Sequence, residues 1–173
     1  MPKQRGAGQI VVAALPQARN QRFPAPLGVE NNTGRHKGMA RIYENLIADH
    51  DRHRSLFEKI AAADAGSTER QGAFDQLRIE LQAHAAAEEE SLYAIMLADP
   101  DLRDSARHSV AEHKEIDDKL GELVDLDGSS DDWTKAFEEL RHRYLHHIDE
   151  EEEEMFPEAE QGLSAAEERQ AAD

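Results

Sequence analysis

The chain has 173 residues, of which 20 are Lys or Arg and 37 are Asp or Glu, giving a formal net charge of -17, and it contains no cysteine. Without cysteine this sequence has no disulfide, no thiolate metal site and no cysteine nucleophile, so a metal ion must be held by imidazole nitrogen and carboxylate oxygen. The acidic charge argues against binding of nucleic acid or an anionic membrane by the folded part.

The first 37 residues form a basic segment that differs from the rest. The segment contains four prolines and four glycines and shows no helical periodicity, so we predict an irregular N-terminal arm over residues 1–37. Its basic side chains are scattered, which favours an arm that lies on the acidic body or stays disordered over one that binds nucleic acid. Residues 10–15 are too few for a membrane span or a signal-peptide core, so we expect a cytoplasmic protein.

Four amphipathic segments follow the arm. Their apolar side chains recur every three or four residues, which predicts helices at about 38–63, 68–97, 101–125 and 131–155. Ser130 or Asp131 can cap the fourth helix, and Pro157 marks its end or a kink.

The predicted fold class is all-α, because no strand pattern is present. Short connections between helices of this length favour an antiparallel up-down-up-down four-helix bundle, which we assign to residues 38–160. The irregular N-terminal arm precedes the bundle. A polar C-terminal tail over residues 161–173 follows it, and its residues 164–173 either form a short helix or fray.

Histidine and glutamate residues interrupt the apolar stripes of all four helices near their middles. The second and fourth helices each carry a histidine followed four residues later by a glutamate, a spacing that puts both side chains on one face. The first and third helices each carry one histidine on the stripe. Burying these groups is costly unless something pairs with them, and a metal ion is a suitable partner. The candidate metal ligands are His50, His84, Glu88, His113, His147 and Glu151.

A metal-free explanation exists for each of these residues taken singly. A lone histidine on a helix stripe is most often an ordinary core residue, and Glu88 and Glu151 both lie in acidic runs that suit a solvated face. The repetition of one pattern over four helices favours a metal site. Six donors exceed the needs of one tetrahedral ion, whereas two ions bridged by two carboxylates would use all six.

Four further side chains near the stripes have two interpretations each. His53 lies one turn after His50 and is either a second ligand from the first helix or a hydrogen-bond partner of a neighbour. Tyr93 and Tyr144 are either core residues with satisfied hydroxyls or groups that gate or protonate a bound ligand. Glu150 is most simply part of a solvated acidic face and would be a ligand only if the fourth helix were rotated.

The sequence around these positions resembles the hemerythrin-like family, whose members are also called HHE cation-binding domains. The similarity covers about residues 40–158 and is carried by LIADH at 46–50, LQAHAAAEE at 81–89, EHKEI at 112–116, HIDEE at 147–151 and MFP at 155–157. The resemblance implies a non-haem centre of two iron ions, with the four histidines as imidazole ligands. It also implies that Glu88 and Glu151 bridge the two ions.

Two departures from the family pattern bear on function. Ser109 stands where oxygen-carrying hemerythrins have a fifth histidine, and the adjacent His108 points about 100° away on an ideal helix. Glu151 follows its histidine by four residues, whereas the oxygen carriers have a spacing of five. A simple reversible oxygen carrier is therefore disfavoured. The pattern is closer to HHE proteins implicated in responses to iron, oxygen, peroxide or nitric oxide.

These observations lead to one main functional hypothesis and two alternatives. The main hypothesis is a metal-binding protein whose diiron centre binds or senses O2 or a related oxidant, with a small diatomic molecule or peroxide as its partner and with no membrane partner. The first alternative is a peroxide-decomposing enzyme at the same centre, and the second is a metal-free helical interaction module. Zinc or manganese would satisfy the same residues in part. The sequence identifies no protein partner.

Overall fold

The computed structural model describes the backbone of residues 36–171 and the side chains of residues 42–171. Residues 1–35, which hold most of the predicted irregular arm, lie outside this range. In the range described, all regular structure is helical, which confirms the all-α prediction. The elements are α1 (His36–Ala62), α2 (Thr68–Glu90), α3 (Leu92–Ala98), α4 (Arg103–Asp125), α5 (Asp131–Glu150), a π-helical turn (Glu151–Met155), α6 (Phe156–Gly162) and α7 (Ala165–Ala171).

The second predicted helix is divided at Ser91. The Ser91 backbone has φ -113° and ψ -90°, which is not helical, and its hydroxyl donates to the carbonyl of Ala87 at 2.5 Å. A serine that bonds back to the preceding turn competes with the helical ladder and bends the chain. Helix α2 therefore ends directly after Glu88, Glu89 and Glu90, and α3 begins at Leu92.

The fourth predicted helix widens into a π-helical turn before it continues as α6. The amide of Phe156 donates to the carbonyl of Glu151, five residues back, instead of four. Pro157 has no amide hydrogen and lies in the first turn of α6, a position that a proline tolerates. The helical path thus continues past Pro157 instead of ending there. The wide turn begins at Glu151, which is a candidate ligand.

Short connections with specific caps join the helices. Ser67 and Ser130 cap α2 and α5, because their hydroxyls accept hydrogen bonds from the amides of Arg70 and Trp133. This confirms Ser130 as one of the two predicted caps. Gly66 has φ +70° and its amide donates to the carbonyl of Gly128 at 3.2 Å, so the α1–α2 and α4–α5 connections meet at one end of the molecule.

Helix packing divides the apolar core into two clusters. Helix α1 packs along α2, α4 packs along α5, and contacts of α2 with α4 and of α1 with α5 close the arrangement. The first cluster contains Leu56, Phe57, Ile60, Phe74, Leu77, Leu81, Ile116, Leu120, Leu123, Trp133, Phe137 and Leu140. The second contains Ile42, Leu46, Leu92, Tyr93, Met96, Leu102, Ala106, Met155, Phe156, Ala159 and Leu163. The candidate ligands fall between these two clusters along each of the long helices.

The C-terminal residues also form ordered structure. Helix α7 packs against α1 and α3 and buries Ala171, so the helical alternative for the predicted tail is the one found. Among the helices described, none is both long enough and apolar enough to cross a membrane.

Candidate metal centre

The six candidate ligands meet in one buried polar layer. Helix α1 supplies His50, α2 supplies His84 and Glu88, α4 supplies His113, and the end of α5 with the π-helical turn supplies His147 and Glu151. Each of the six residues is at most 7% exposed. The six side chains therefore converge in the structure, as the sequence predicts.

The layer consists of two groups of four residues that share both glutamates. One group is His50, His84, Glu88 and Glu151, and the other is Glu88, His113, His147 and Glu151. Within each group one nitrogen or oxygen from every residue lies within 4.8 Å of the others. Two adjoining sites with two common carboxylates result.

Each shared carboxylate turns one oxygen to each group. Oε1 of Glu88 is 3.2 Å from Nε2 of His84, and its Oε2 is 3.3 Å from Nε2 of His113. Oε2 of Glu151 is 3.4 Å from Nε2 of His50, and its Oε1 is 3.3 Å from Nε2 of His147. All four imidazoles thus direct Nε2 into the layer.

The donor set fits metal ions, because five of its eight inward atoms have no hydrogen-bond partner among the residues described. Across the described part of the chain, no hydrogen bond reaches either oxygen of Glu88, Oε2 of Glu151, or Nε2 of His113 and His147, although all are buried. Nε2 of His50 and Nε2 of His84 lie 2.9 Å apart. Two nitrogens at right angles around an ion with bonds of 2.0–2.1 Å would be separated by about 2.9 Å. One cation in each group would satisfy these atoms.

The close approach of imidazoles and carboxylates in the layer shifts their pKa values. Burial alone would raise the pKa of Glu88, but the nearby imidazoles of His113 and His84 hold that pKa well below its ordinary range. Burial alone would lower the pKa of His113, but Glu88 and Glu89 raise it to about 9. The pKa of His84 is raised in the same way, against burial, by Glu88, Glu151 and Asp49. The raised pKa values favour the protonated imidazoles in the metal-free protein, so protons compete with metal binding.

His53 is buried but belongs to neither group. Its Nδ1 lies 2.6 Å from the hydroxyl of Tyr144, so the hydrogen-bonding interpretation accounts for its position. Burial, together with the nearby His84 and His50, lowers the pKa of His53 to about 3, and the ring is therefore neutral at physiological pH. The same bond satisfies the hydroxyl of Tyr144, which agrees with the interpretation of Tyr144 as a core residue.

Tyr93 and Ser109 approach the layer from the side of the second cluster. The Tyr93 hydroxyl donates to Oε1 of Glu151, and its ring stacks on His113 with centroids 5.5 Å apart. The Ser109 hydroxyl lies 3.3 Å from the sulfur of Met155. Ser109 therefore supplies no metal-ligating atom to the layer. Tyr93 holds the carboxylate of Glu151, one of the two that both groups share.

An outer set of carboxylates was not predicted from the sequence. Each of the four imidazoles turns Nδ1 away from the layer, toward a carboxylate on another helix. These outer pairs are His50 with Glu152 at 2.8 Å, His147 with Glu112 at 2.8 Å, His113 with Glu89 at 2.9 Å, and His84 with Asp49 at 3.5 Å. Burial alone would raise the pKa of Glu112, but His147, Arg143 and His108 lower it to about 2, so this carboxylate accepts and the imidazole donates.

The four outer carboxylates share one position in the sequence. Every outer carboxylate is the immediate chain neighbour of a candidate ligand: Asp49 precedes His50, Glu89 follows Glu88, Glu112 precedes His113, and Glu152 follows Glu151. Neighbouring residues on a helix point about 100° apart, so one can face the layer while the other reaches the next helix. Glu150, by contrast, pairs with the exposed His108 and His146 and lies outside both groups.

A cavity of about 480 Å³ opens between α2 and α4 and reaches the layer. Most of its wall area is apolar, with Leu81, Ala85, Val110 and Leu120 among the lining residues. His84 and His113, one from each group of four, also line it. A small molecule in this cavity would lie beside both groups.

Comparisons with known proteins connect this chain to cation-binding domains. Residues 41–159 match the family described as Hemerythrin HHE cation binding domain. Among solved structures, the chain is similar to a crystal structure of a hemerythrin HHE cation binding domain-containing protein, the Rv2633c homologue from Mycobacterium kansasii. The TM-score is 0.60 at 31% sequence identity, and the match covers 66% of this chain and 69% of that chain. No curated protein matched the sequence significantly. The buried His/Glu cluster fits a metal site of this family.

Proposed function

Because the chain belongs to the hemerythrin HHE cation-binding family, we propose that its buried layer binds two iron ions and that this centre binds or senses O2 or a related oxidant such as peroxide or nitric oxide. The observation that carries the proposal is the sharing of Glu88 and Glu151 by two groups of four donors. Carboxylates that turn one oxygen to each of two sites are suited to bridge a pair of ions about 3.5–4 Å apart.

Iron is the ion that best matches the donors. Each group offers two imidazole nitrogens and two carboxylate oxygens, and no thiolate is present in this sequence. Two histidines with a carboxylate, leaving open positions, are the donor set of non-haem iron proteins that handle oxygen. Bound iron would supply the redox chemistry and the open coordination positions for a small ligand.

The surrounding residues support the binding of a small ligand. Ser109 leaves the α4 side of the second group without a further nitrogen donor, and the cavity between α2 and α4 gives a route to His84 and His113. The two apolar clusters on either side of the layer limit the entry of water and so strengthen the electrostatic interactions inside it. Tyr93 holds Glu151 in place with a hydroxyl that can also donate a proton.

We propose that α1, α2, α4 and α5 form an antiparallel up-down-up-down bundle, with α3, α6 and α7 as additions at the end opposite the Gly66–Gly128 contact. The short connections and the packing of α1 with α2 and of α4 with α5 support this arrangement.

Iron loading under anaerobic conditions tests the function. The purified chain should take up ferrous iron and then change its near-ultraviolet and visible absorption on addition of O2, peroxide or nitric oxide. Release of oxygen from peroxide over many cycles would identify the catalytic alternative, whereas a single reversible change would identify binding or sensing. A loaded protein whose spectrum does not respond to any of the three would contradict the proposal.

A further inference from the structure

Two of the four outer carboxylates are themselves held by partly buried arginines. Oε1 of Glu152 lies 3.0 Å from Nη1 of Arg54, and Oε1 of Glu112 lies 2.9 Å from Nη2 of Arg143. Each carboxylate therefore bridges an imidazole and a guanidinium. We call these units the His50–Glu152–Arg54 triad and the His147–Glu112–Arg143 triad.

The two triads are built in the same way. Arg54 follows His50 by four residues on α1, and Arg143 precedes His147 by four residues on α5, so in both triads the arginine and the histidine share one helical face. The carboxylate comes from a different element each time, the π-helical turn or α4. In one triad the Glu112 side chain is 3% exposed and the Arg143 side chain 22%, and in the other the Glu152 side chain is 24% exposed and the Arg54 side chain 31%. Both ion pairs are therefore at least partly shielded from water, the Glu112–Arg143 pair more than the other.

The other two imidazoles lack such support. Nδ1 of His84 is 3.5 Å from Asp49 and has no hydrogen-bond partner among the residues described. Asp49 does pair with an arginine, but that residue, Arg52, is 58% exposed. His113 bonds to Glu89, whose side chain is 41% exposed. Both contacts are open to competition from water.

Each group of four therefore contains one histidine that belongs to a triad and one that does not. One group combines His50, which belongs to a triad, with His84, which does not; the other combines His147 with His113 in the same way. The two histidines without a triad, His84 and His113, are also the two that line the α2–α4 cavity. Restraint is therefore strongest on the histidines that lie away from the cavity.

We propose that Glu152 and Glu112, each fixed by its arginine, are positioning residues that hold His50 and His147 as the rigid nitrogen ligands of the centre, while His84 and His113 remain free to adjust to a molecule in the cavity. A carboxylate that accepts the Nδ1 hydrogen keeps the tautomer whose Nε2 lone pair faces the ion and raises the basicity of that nitrogen. The inference rests on the metal-binding part of the proposed function and is independent of the ion and the oxidant.

Conservative substitutions of the two carboxylates give the first test. The full chain is titrated with zinc, a diamagnetic probe, in competition with a chelator, and folding is checked by circular dichroism. We expect Glu152→Gln and Glu112→Gln to weaken zinc binding about 10–100-fold. Glu153→Gln removes the same charge from an exposed neighbour on the same turn and should change the affinity much less. Equal effects of Glu152→Gln and Glu153→Gln would contradict the inference.

The arginines separate positioning from simple charge. Removing a positive charge near a cation site should raise affinity if only the net field matters. If the triads position the imidazoles, Arg54→Gln and Arg143→Gln should instead lower it. Arg141→Gln is the matched control, because Arg141 lies two residues before Arg143 and pairs with Glu58 and Glu138, away from the layer. Affinity equal to or above that of the unaltered chain in both triad variants would overturn the proposal.

Histidine nuclear magnetic resonance tests the division into two kinds. In the zinc-loaded protein, the Nδ1 hydrogens of His50 and His147 should exchange slowly with solvent and those of His84 and His113 rapidly. Similar exchange at all four positions would contradict the division. Failure of the unaltered chain to bind either zinc or iron would contradict the proposed function itself, whereas normal binding with unaffected variants would contradict this inference alone.

Discussion

Glu88 shows at the level of one residue why the layer exists. Its side chain is fully buried, yet neither oxygen has a hydrogen-bond partner in the part of the chain described, and histidines stand on both sides of it. A buried carboxylate left in this state costs far more than a surface one. A cation bound between such residues would offset this cost and would explain how they can lie between two apolar clusters.

The protonation of His113 gives a pH-dependent prediction for the metal-free protein. Glu88 and Glu89 raise its pKa to about 9, against burial, from an ordinary value of 6.5. A group whose pKa is higher in the folded state contributes stability that is fully present below its unfolded pKa and is lost as the pH rises through the folded pKa. We therefore expect the free energy of unfolding to fall between pH 6.5 and pH 9, as measured by urea denaturation.

The matching variant for this prediction is His113→Gln. It removes the titrating group, so the fall in stability across the same pH range should become shallower, with the remaining slope due to His84, whose pKa is also raised. A slope identical to that of the unaltered protein would show that His113 does not carry the effect.

The six candidate ligands could be predicted from the sequence because helical spacing fixes which residues share a face. His84 with Glu88, and His147 with Glu151, needed only a spacing of four and an apolar stripe. The four outer carboxylates could not be singled out, since acidic residues are abundant in this chain and their partners lie on other helices. The role of His53 also depended on the position of Tyr144, 91 residues away.

At the level of the helices, the sequence indicated the positions but not the interruptions. The four periodic segments coincide closely with α1, α2 with α3, α4, and α5 with its continuation. The break at Ser91 and the π-helical turn at Glu151–Met155 leave the hydrophobic periodicity nearly unchanged, so no pattern indicates them. The break at Ser91 lies three residues after Glu88, and the π-helical turn begins at Glu151 itself. Such π-helical turns are frequent at functional sites.

A pair of glycines gives a prediction about the helix connections. Gly66 has φ +70°, and a Cβ added there would lie 2.8 Å from Cβ of Ser129, whereas a Cβ at Gly72 within α2 would meet nothing within 4 Å. We expect Gly66→Ala to lower the free energy of unfolding by about 1–2 kcal/mol or more, from the backbone conformation alone. Gly72→Ala should raise it by about 0.5–1 kcal/mol. Chemical denaturation of both variants measures this, and the same sign for both would refute it.

The N-cap of α5 gives a second prediction at this scale. The Ser130 hydroxyl accepts from the amide of Trp133 at 3.0 Å, so Ser130→Ala should reduce stability by about 1 kcal/mol. Ser55→Ala is the control, because Ser55 is exposed within α1 and alanine is the better helix former there. Thermal unfolding should show a loss for the first variant only; an equal loss in both would argue against the cap.

For the molecule as a whole, the polar layer separates two apolar clusters and should couple metal binding to folding. The resemblance predicted from short sequence stretches is confirmed by the family match over residues 41–159. The basic arm, most of which lies outside the residues described, remains a prediction, because charge and composition alone do not determine where such a segment lies.

Removal of the metal is expected to lower stability. An ion that binds only the folded chain stabilises it by about 2.7 kcal/mol when the free ion is at 100 times its dissociation constant. Calorimetry should therefore show a higher unfolding temperature for the loaded protein than for the metal-free protein. The double variant Glu88→Ala and Glu151→Ala should show no such rise, and a rise of unchanged size would mean that the stabilising ion binds elsewhere.

The most direct test of the central claim is the number of metal ions bound per chain, measured by elemental analysis after iron loading and removal of excess iron. We expect about two ions for the unaltered chain. We also expect a clear loss in His84→Ala, a larger loss in Glu151→Ala, because Glu151 faces both groups, and no change in Glu153→Ala. Iron content that is near zero in the unaltered chain, or the same in all four proteins, would contradict the claim.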